Sequence, residues 1–255
     1  MIGIFDSGIG GLTVVKELLR QAPEASFVYL GDTARTPYGN KSAETVKRYA
    51  VEDAQFLLDQ GATSIVIACN TATALAEQVL REAFPAIPIF GVIQPAIDAA
   101  LALKPKTLGI IGTRATIGSQ VYLKKLSEAG AGKLPVSQTA CPLFTVLAEE
   151  GLLDDQVTKL VAKKYLSGMR AHSLDAIILG CTHYPLLREI IQHAVSNRTK
   201  LIDPAEAVVQ FVLKTLPDIE RTKKQTFFLT DVAPHTVQVA SKWLGDEIVF
   251  QKATL

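Results

Sequence analysis

Apolar residues occur along this chain in two patterns. Residues 65–68 and 176–179 are short unbroken apolar runs, which are typical of strands covered on both faces of a parallel sheet. In other segments, such as residues 10–21, apolar side chains recur every three or four positions, which is the spacing of one face of a helix. The two patterns alternate along the chain. This alternation predicts an α/β fold of mostly parallel sheets flanked by helices.

The same patterns predict the limits of each element. We expect strands at residues 2–5, 27–30, 65–68, 87–90, 107–111, 135–139, 176–179, 200–202, 226–229 and 247–250. We expect helices at residues 10–21, 42–60, 74–84, 95–103, 119–129, 154–171, 186–195, 205–216 and 234–244, and Ser42 as the N-cap of the second. Residues 2–8 resemble residues 108–113, so the pattern indicates two related lobes joined near residues 91–100, with a cleft between them.

Composition excludes several classes of protein. The chain has 255 residues, of which 48% are hydrophobic and 20% charged, and its net charge is +1. Such an even balance gives no basic surface for nucleic acid or for an anionic membrane, and no apolar stretch reaches the length of a membrane span. The first residues are already strand-like rather than a signal peptide, and three cysteines do not make a disulfide scaffold. We expect a cytoplasmic protein that contacts neither nucleic acid nor membrane directly.

Two cysteines end similar strands in the two halves of the chain. Cys69 follows the strand at 65–68 and Cys181 follows the strand at 176–179, and each thiol precedes small polar residues and a helix-like stretch. A single buried cysteine is usually inert, but two in matched positions favour a pair of groups that face one site. A helix N-terminus lowers a thiol pKa, so these thiols could move a proton beside a carboxylate. This arrangement is what a cofactor-free racemase needs. Cys141 has no matched partner and is interpreted as a packing residue.

Two other kinds of site remain open from these residues. Cys181 and His183, with Cys69, could ligate a metal, although no pair of ligands at the usual zinc spacing completes the set. The glycine-rich segment 6–11, with Asp32 after the next strand, imitates a dinucleotide-binding loop but lacks its third glycine. We therefore expect no metal and no cofactor.

Several polar residues near the thiols have both a functional and a structural interpretation. Asn70, Thr71 and Thr182 could hold an α-carboxylate, and His183 could exchange a proton with Cys181. Each of the remaining candidates also has a plain interpretation: Asp6 and Ser7 as helix caps, Tyr38 and Gly39 as turn residues, and Glu149 with Glu150 as solvated surface.

Taken together, five segments resemble the glutamate racemases of the cofactor-independent aspartate/glutamate racemase superfamily. The segments are residues 5–11, 31–39, 68–72, 112–116 and 180–185, and the resemblance extends over essentially the whole chain. It implies two pseudo-symmetric lobes, residues 1–95 plus 208–255 and residues 96–207, with the active-site cleft between them. It also implies interconversion of L- and D-glutamate, without a cofactor, to supply peptidoglycan. Gln94 stands where many members of the family carry Glu.

The resemblance implies a role for each matching residue. Cys69 resembles the thiol that acts on the α-proton of D-glutamate, and Cys181 resembles the thiol that acts on L-glutamate. Asp6 resembles the acid that assists Cys69, while Glu149, rather than Glu150, and His183 resemble the groups that assist Cys181. Substrate contacts are implied for Asp6, Ser7, Tyr38, Gly39, Asn70, Thr71, Thr113, Thr116, Thr182 and His183.

Other functions remain open at this level. A racemase for aspartate or another acidic amino acid shares the superfamily pattern, although His183 after the second Cys-Thr pair favours glutamate. A non-catalytic protein that binds another protein is a third hypothesis, with no residue in its favour. The resemblance also implies a homodimer.

Overall fold

The structure is a computed structural model that describes residues 1–171, 173–245 and 248–255. Its strands are β1 (Ile2–Asp6), β2 (Phe27–Gly31), β3 (Ser64–Ile67), β4 (Ile89–Gly91), β5 (Leu108–Gly112), β6 (Val136–Ala140), β7 (Ala176–Gly180), β8 (Lys200–Ile202), β9 (Gln225–Leu229) and β10 (Phe250–Lys252). Its helices are α1 (Leu12–Gln21), α2 (Ala43–Asp59), α3 (Asn70–Ala83), α4 (Ile93–Ala102), α5 (Arg114–Gly118), α6 (Val121–Glu128), α7 (Leu143–Glu149), α8 (Gln156–Ala171), α9 (Arg188–Ala194), α10 (Pro204–Thr215) and α11 (Pro234–Leu244). Short 3₁₀ turns occupy Thr33–Arg35, Tyr38–Asn40 and Tyr184–Leu187.

Within the described residues the strands form two sheets in which every pairing is parallel. The larger sheet has the order β10-β9-β2-β1-β3-β4, and the smaller has the order β6-β5-β7-β8. The order β2-β1-β3-β4 in the first matches β6-β5-β7-β8 in the second, so β1 and β5 are equivalent, as are β3 and β7. The predicted α/β class and the predicted pair of related lobes are confirmed.

The predicted limits of the lobes are not tested by this division into sheets. Strands β1 to β4, β9 and β10 belong to the first sheet, and β5 to β8 belong to the second. The limits after residues 95 and 207, however, fall inside helices α4 and α10. The division into 1–95 plus 208–255 and 96–207 therefore stays a prediction.

One hydrophobic cluster connects the two sheets. It contains Ile4 of β1 and Ile178 of β7 together with Ala96 of α4 and Val208 of α10. All five residues of β1 and all five of β7 are buried, as expected for strands covered on both faces. Burial of this apolar surface holds the two sheets together, so their carboxyl ends face the same cleft.

The structure corrects several predicted elements. Helix α3 begins at Asn70 rather than at residue 74, because Cys69 caps it by accepting the backbone N–H of Ala72. The predicted helix at 119–129 corresponds to α6, and a short helix that was not predicted, α5, precedes it at Arg114–Gly118. Gln120, between the two helices, has φ 56° and separates them. The last strand covers Phe250–Lys252, and the predicted strand at 247–250 begins at Glu247, which lies outside the described residues.

No helix in the described ranges is both long and apolar enough to cross a membrane.

Candidate active site

The residues singled out from the sequence lie at the carboxyl ends of equivalent strands. Asp6 is the last residue of β1, Thr113 directly follows β5, and Cys69 and Cys181 follow β3 and β7. Parallel strands present their carboxyl ends at one edge of a sheet, and the two sheets turn these edges toward each other. The enclosed cleft is lined by Ser7, Thr36, Pro37, Gly39, Cys69, Asn70, Thr71, Thr113, Thr145, Cys181, Thr182 and His183.

The cleft is nearly closed in this structure. Its volume is about 20 Å³, which is little more than one water molecule needs. Both thiols border this space; Cys69 is 5% exposed and Cys181 is 6% exposed. A ligand the size of an amino acid does not fit this volume, so the walls of the cleft have to move apart to admit it.

Cys69 lies at the N-terminus of helix α3. Its Sγ accepts the backbone N–H of Ala72 at 3.4 Å and contacts Ser7 Oγ at 3.5 Å. Burial, together with the negative charge of Asp6, raises the pKa of the Cys69 thiol to about 12 despite these two hydrogen bonds. In the closed cleft the thiol is thus the stable form of Cys69, which suits a group that donates a proton.

Cys181 lies at one end of a chain of proton-carrying groups. Its Sγ is 3.7 Å from Nδ1 of His183, and Nε2 of His183 is 2.9 Å from Oε1 of Glu149. Burial alone would lower the pKa of His183, but its hydrogen bonds with Cys181 and Glu149 raise that pKa well above the ordinary value. The same contact lowers the pKa of Glu149 against the opposing effect of burial. His183 is thus held as a cation beside the Cys181 sulfur.

Of the two neighbouring glutamates, it is Glu149 that contacts His183. Glu149 is the last residue of helix α7, and its side chain is 32% exposed. Glu150 is exposed and follows the end of that helix. Trp243 of helix α11 packs edge-on against the imidazole, with ring centroids 5.8 Å apart. These contacts fix the plane of the His183 ring.

Asn70 presents an unused donor to the cleft. Its Oδ1 accepts a hydrogen bond from the hydroxyl of Tyr122 at 2.9 Å. Its Nδ2 is buried and has no hydrogen-bond partner among the described residues. A buried donor without a partner costs free energy, so this amide is suited to receive a ligand oxygen. Asn70 is also the first residue of helix α3, and the backbone N–H groups at a helix N-terminus favour an anion.

Three threonine hydroxyls join the two lobes at the side of the cleft. Oγ1 of Thr71 lies 2.9 Å from that of Thr113 and 3.2 Å from that of Thr116, and the last two are 3.0 Å apart. Thr71 and Thr113 border the cleft, whereas Thr116 is buried behind them. Thr116 therefore orients the other two hydroxyls.

Asp6 and Tyr38 lie behind the surface of the cleft. Asp6 is completely buried; its Oδ2 accepts the backbone N–H of Gly8 and its Oδ1 accepts the hydroxyl of Thr182. Burial raises the pKa of Asp6, against the opposing charge of His183. The Tyr38 hydroxyl contacts two carboxyl groups away from the cleft. Only the backbone of Tyr38 is therefore placed to contact a ligand.

Three residues that border the cleft were not identified from the sequence. Thr36 and Pro37 precede the turn at Tyr38–Asn40, and Thr145 lies 3.7 Å from the Cys181 sulfur. Thr145 stands one helical turn before Glu149, so once Glu149 is placed in the site the i, i+4 spacing also predicts Thr145.

Gly10 keeps the space that His183 and Thr182 occupy. A Cβ at Gly10 would lie 2.4 Å from the Thr182 hydroxyl and 2.5 Å from the His183 ring. We expect Gly10→Ala to displace the imidazole and to lower kcat by about 10²-fold, because small shifts of catalytic groups have effects of that size. Steady-state kinetics of the variant and the native protein measure this loss.

Gly168→Ala is the matched control for that substitution. A Cβ at Gly168, in helix α8, would meet no described atom within 4 Å. Alanine should leave kcat unchanged and stabilise the fold by about 0.5–1 kcal/mol. Equal activity of the two glycine variants would contradict the packing of His183 against Gly10.

The arrangement can move protons on opposite sides of a bound molecule. One thiol comes from each lobe, and the Asn70 amide lies beside Cys69 in sequence and in the cleft.

Within the described part of the chain, no group of three or more His, Cys, Asp and Glu residues has the geometry of a metal site.

Comparison with known proteins agrees with this geometry. The family model described as Asp/Glu/Hydantoin racemase matches residues 5–212. The glutamate racemase of Persephonella marina is 42% identical over 255 residues, which cover 100% of this chain and 97% of that protein. The crystal structure of glutamate racemase isoform RacE1 from Bacillus anthracis has a TM-score of 0.94 at 36% identity and covers 100% of this chain and 97% of its own. That of the Francisella tularensis enzyme, in complex with D-glutamate, has a TM-score of 0.91 at 36% identity, with coverages of 99% and 97%.

Proposed function

Because this chain belongs to the Asp/Glu/Hydantoin racemase family, we propose that its cleft interconverts L- and D-glutamate by proton transfer between two thiols. The observation that carries this proposal is the position of Cys69 and Cys181, one from each lobe, on the wall of a single closed cleft. The product D-glutamate is the form that serves peptidoglycan synthesis, and hence cell-wall biogenesis and cell shape, in the family.

The reaction needs one thiolate and one thiol at the same time. With D-glutamate, the Cys69 thiolate takes the α-proton, and the electron pair of the C–H bond passes into the α-carboxylate as a planar carbanion. The Cys181 thiol then donates its proton to the opposite face, which forms L-glutamate and leaves Cys69 protonated and Cys181 as the thiolate. The reverse reaction exchanges these roles, so no external acid, base or oxidant is consumed.

The neighbours of each thiol support its part in the reaction. The imidazolium of His183 stabilises the Cys181 thiolate, and Glu149 orients that ring. Ser7 contacts Cys69, and buried Asp6 influences Cys69 through its charge rather than through a hydrogen bond. The α-carboxylate binds at Asn70 Nδ2 and the first amides of helix α3, with Thr71, Thr113, Thr182 and the backbone of Tyr38–Gly39 around it.

Isotope exchange without added cofactor tests this function. Purified, reduced protein is incubated with D-glutamate in deuterated water, and both optical rotation and α-deuterium are followed. Racemisation with deuterium in the L-product supports two distinct proton donors and acceptors. A parallel panel with aspartate and other acidic amino acids tests the substrate. No exchange with any of them, in folded and reduced protein, would contradict the racemase proposal.

The assembly is proposed to be a homodimer in the cytoplasm. Helices α7 and α8 pack together and expose apolar side chains: Val146 of α7 is 52% exposed, and Val157 and Leu160 of α8 are 53% and 67% exposed. Such a surface is suited to bury against a second copy. All three cysteines are free, and the two in the cleft act only while reduced, as they are in the cytoplasm. Light scattering of the purified protein measures the mass of the assembly, and a monomer would contradict this part of the proposal.

A further inference from the structure

A buried polar cluster that the proposed reaction does not use lies directly behind the cleft. Its members are Asp32 after β2, Arg35 and Tyr38 in the loop that follows, and Asp53 in helix α2. The side chains of Asp32, Tyr38 and Asp53 are all 0% exposed. Burying two carboxyl groups beside one guanidinium is costly unless every charge and proton has a partner, so the protonation of the cluster can be worked out from its contacts.

The contacts of the Tyr38 hydroxyl require a second proton. Its oxygen contacts Oδ2 of Asp32 and, at 2.8 Å, Oδ2 of Asp53. A phenol donates only one proton, so it can satisfy only one of these two acceptors. The other contact is a hydrogen bond only if a carboxyl group donates to the tyrosine oxygen. One of the two aspartates must therefore be a neutral acid.

The remaining contacts of the two carboxyl groups decide which of them carries that proton. Asp32 accepts the Nε–H of Arg35 on Oδ2 at 2.6 Å and the hydroxyl of Thr230 on Oδ1 at 2.9 Å. A proton on Oδ2 of Asp32 would face the N–H of Arg35. Asp53 accepts from Nη2 of Arg35 on Oδ1 at 2.9 Å, and no described contact other than Tyr38 engages its Oδ2. The proton thus belongs on Oδ2 of Asp53, and burial and the charge of Asp32 raise the pKa of Asp53 in agreement.

We propose that Asp53 is a protonated positioning residue, which donates its carboxyl proton to Tyr38 and so fixes the cleft-lining segment 36–39. Tyr38 in turn donates to Asp32, and Arg35 links both aspartates and Glu52. A neutral Asp53 leaves two carboxylates rather than three around one guanidinium, and Glu52 lies within 3.9 Å of the further cation of Arg48. The inference rests on the proposed function in one respect only, which is the role of the segment 36–39 in binding substrate.

The position of the segment depends on this anchor. Thr36, Pro37 and Gly39 border the cleft on one side of the two thiols, and only the side chain of Tyr38 points back into the cluster. A Cβ at Gly39 would lie 2.7 Å from the Thr113 side chain of the other lobe. The segment therefore packs against the opposite wall of the closed cleft, and a shift of Tyr38 displaces that wall. The expected consequence is weaker substrate binding.

Asparagine at each of the two buried positions distinguishes the acid from the carboxylate. In Asp53→Asn, the amide N–H donates to Tyr38 and the amide oxygen accepts from Arg35, so we expect KM for D-glutamate and kcat within about threefold of native. In Asp32→Asn, the amide oxygen can still accept from Arg35 and Tyr38, but Arg35 loses a buried carboxylate partner and the NH₂ group displaces the hydrogen bond that Thr230 donates. KM should therefore rise at least about tenfold. Asp53→Leu keeps the size but removes the donor, and it should raise KM as Asp32→Asn does. Rescue of the Asp53 position by asparagine but not by leucine is the expected result.

Two measurements without substrate complete the experiment. The infrared difference spectrum, native minus Asp53→Asn at neutral pH, should show a C=O stretch of a protonated carboxyl group. The thermal unfolding midpoint should fall in Asp53→Leu and Asp32→Asn but not in Asp53→Asn. Asp59→Asn removes an exposed acid from the same helix and serves as the control for loss of charge from α2.

Two outcomes would overturn the inference. If Asp53→Asn were as impaired as Asp53→Leu, Asp53 would be needed as a carboxylate. If the infrared band were absent, Asp53 would carry no proton. An inactive native protein would contradict the proposed function instead. The spectrum and the unfolding midpoints would then still decide the protonation of Asp53 by themselves.

Discussion

Replacing Cys69 by serine is expected to lower the rate of racemisation by about 10⁴-fold with both enantiomers of glutamate. A serine hydroxyl is far less acidic than a thiol, so it neither forms the anion that takes the α-proton nor donates readily to a carbanion. In the proposed mechanism every turnover, in either direction, uses both thiols. Cys181→Ser should therefore cause a loss of similar size, again with both enantiomers. Polarimetry or a coupled assay of each enantiomer measures these rates.

Cys141 supplies the matched control for the two thiol variants. It is completely buried, it does not border the cleft, and its sulfur donates to the carbonyl of Thr139 at 3.7 Å. A serine hydroxyl can make the same hydrogen bond, so Cys141→Ser should keep rates within about threefold of native. If only one of the Cys69 and Cys181 variants were inactive, a single group would act on both faces, and the two-thiol scheme would be wrong.

Replacing His183 by asparagine is expected to lower kcat by about 10²- to 10³-fold, which lies within the usual range for a positioned acid–base group. The imidazolium next to Cys181 is lost, while an amide of similar reach keeps part of the packing. Glu149→Gln should have a smaller effect of about tenfold, because Glu149 acts through His183. Glu150→Gln should have none, because Glu150 is exposed beyond the end of helix α7.

The double variant tests the order of these groups. If Glu149 acts only through the imidazole, adding Glu149→Gln to His183→Asn should cause no further loss of kcat. Additive losses would show that Glu149 acts on the reaction independently of His183. Steady-state kinetics of the four proteins, native, two single variants and the double variant, complete the cycle.

The same ion pair should make stability depend on pH. The pKa of Glu149 is lowered in the fold, so its contribution is present above the ordinary value of 4.5 and is lost as pH falls through the folded value. The pKa of His183 is raised, so its contribution is complete below the ordinary value of 6.5 and is lost as pH rises through the folded value. The difference in unfolding free energy between native protein and Glu149→Gln should thus be largest between these two ordinary values. Chemical denaturation at a series of pH values measures it.

The sequence predicts best the features that depend on local pattern. Unbroken apolar runs identify the buried strands, and the matched positions of Cys69 and Cys181 follow from the similar strands that precede them. The local pattern predicts the start of helix α3 four residues too late, because the polar residues after Cys69 resemble a loop and the thiol itself is the cap. Local propensity does not include a cap made by sulfur.

Contacts between segments that are distant along the chain are what the sequence does not predict. The amide of Asn70 is oriented by Tyr122, which is distant in sequence and belongs to the other lobe, and Thr145 reaches Cys181 from a separate helix. Tyr38 is a second example. The resemblance implies that it contacts the substrate, whereas its hydroxyl contacts Asp32 and Asp53 behind the cleft. Such pairings depend on how distant segments pack, and that packing leaves no periodic trace in the chain.

The two thiols have unlike neighbours, Ser7 and Asp6 on one side and His183 and Glu149 on the other, and equilibrium limits what this difference can do. L- and D-glutamate are mirror images with equal free energies, so kcat/KM must be the same in both directions at every pH. The unlike surroundings can therefore make kcat differ between the two enantiomers only by the same factor by which KM differs. They decide on which sulfur the shared proton rests between turnovers, and hence which enantiomer the unliganded protein is ready to bind.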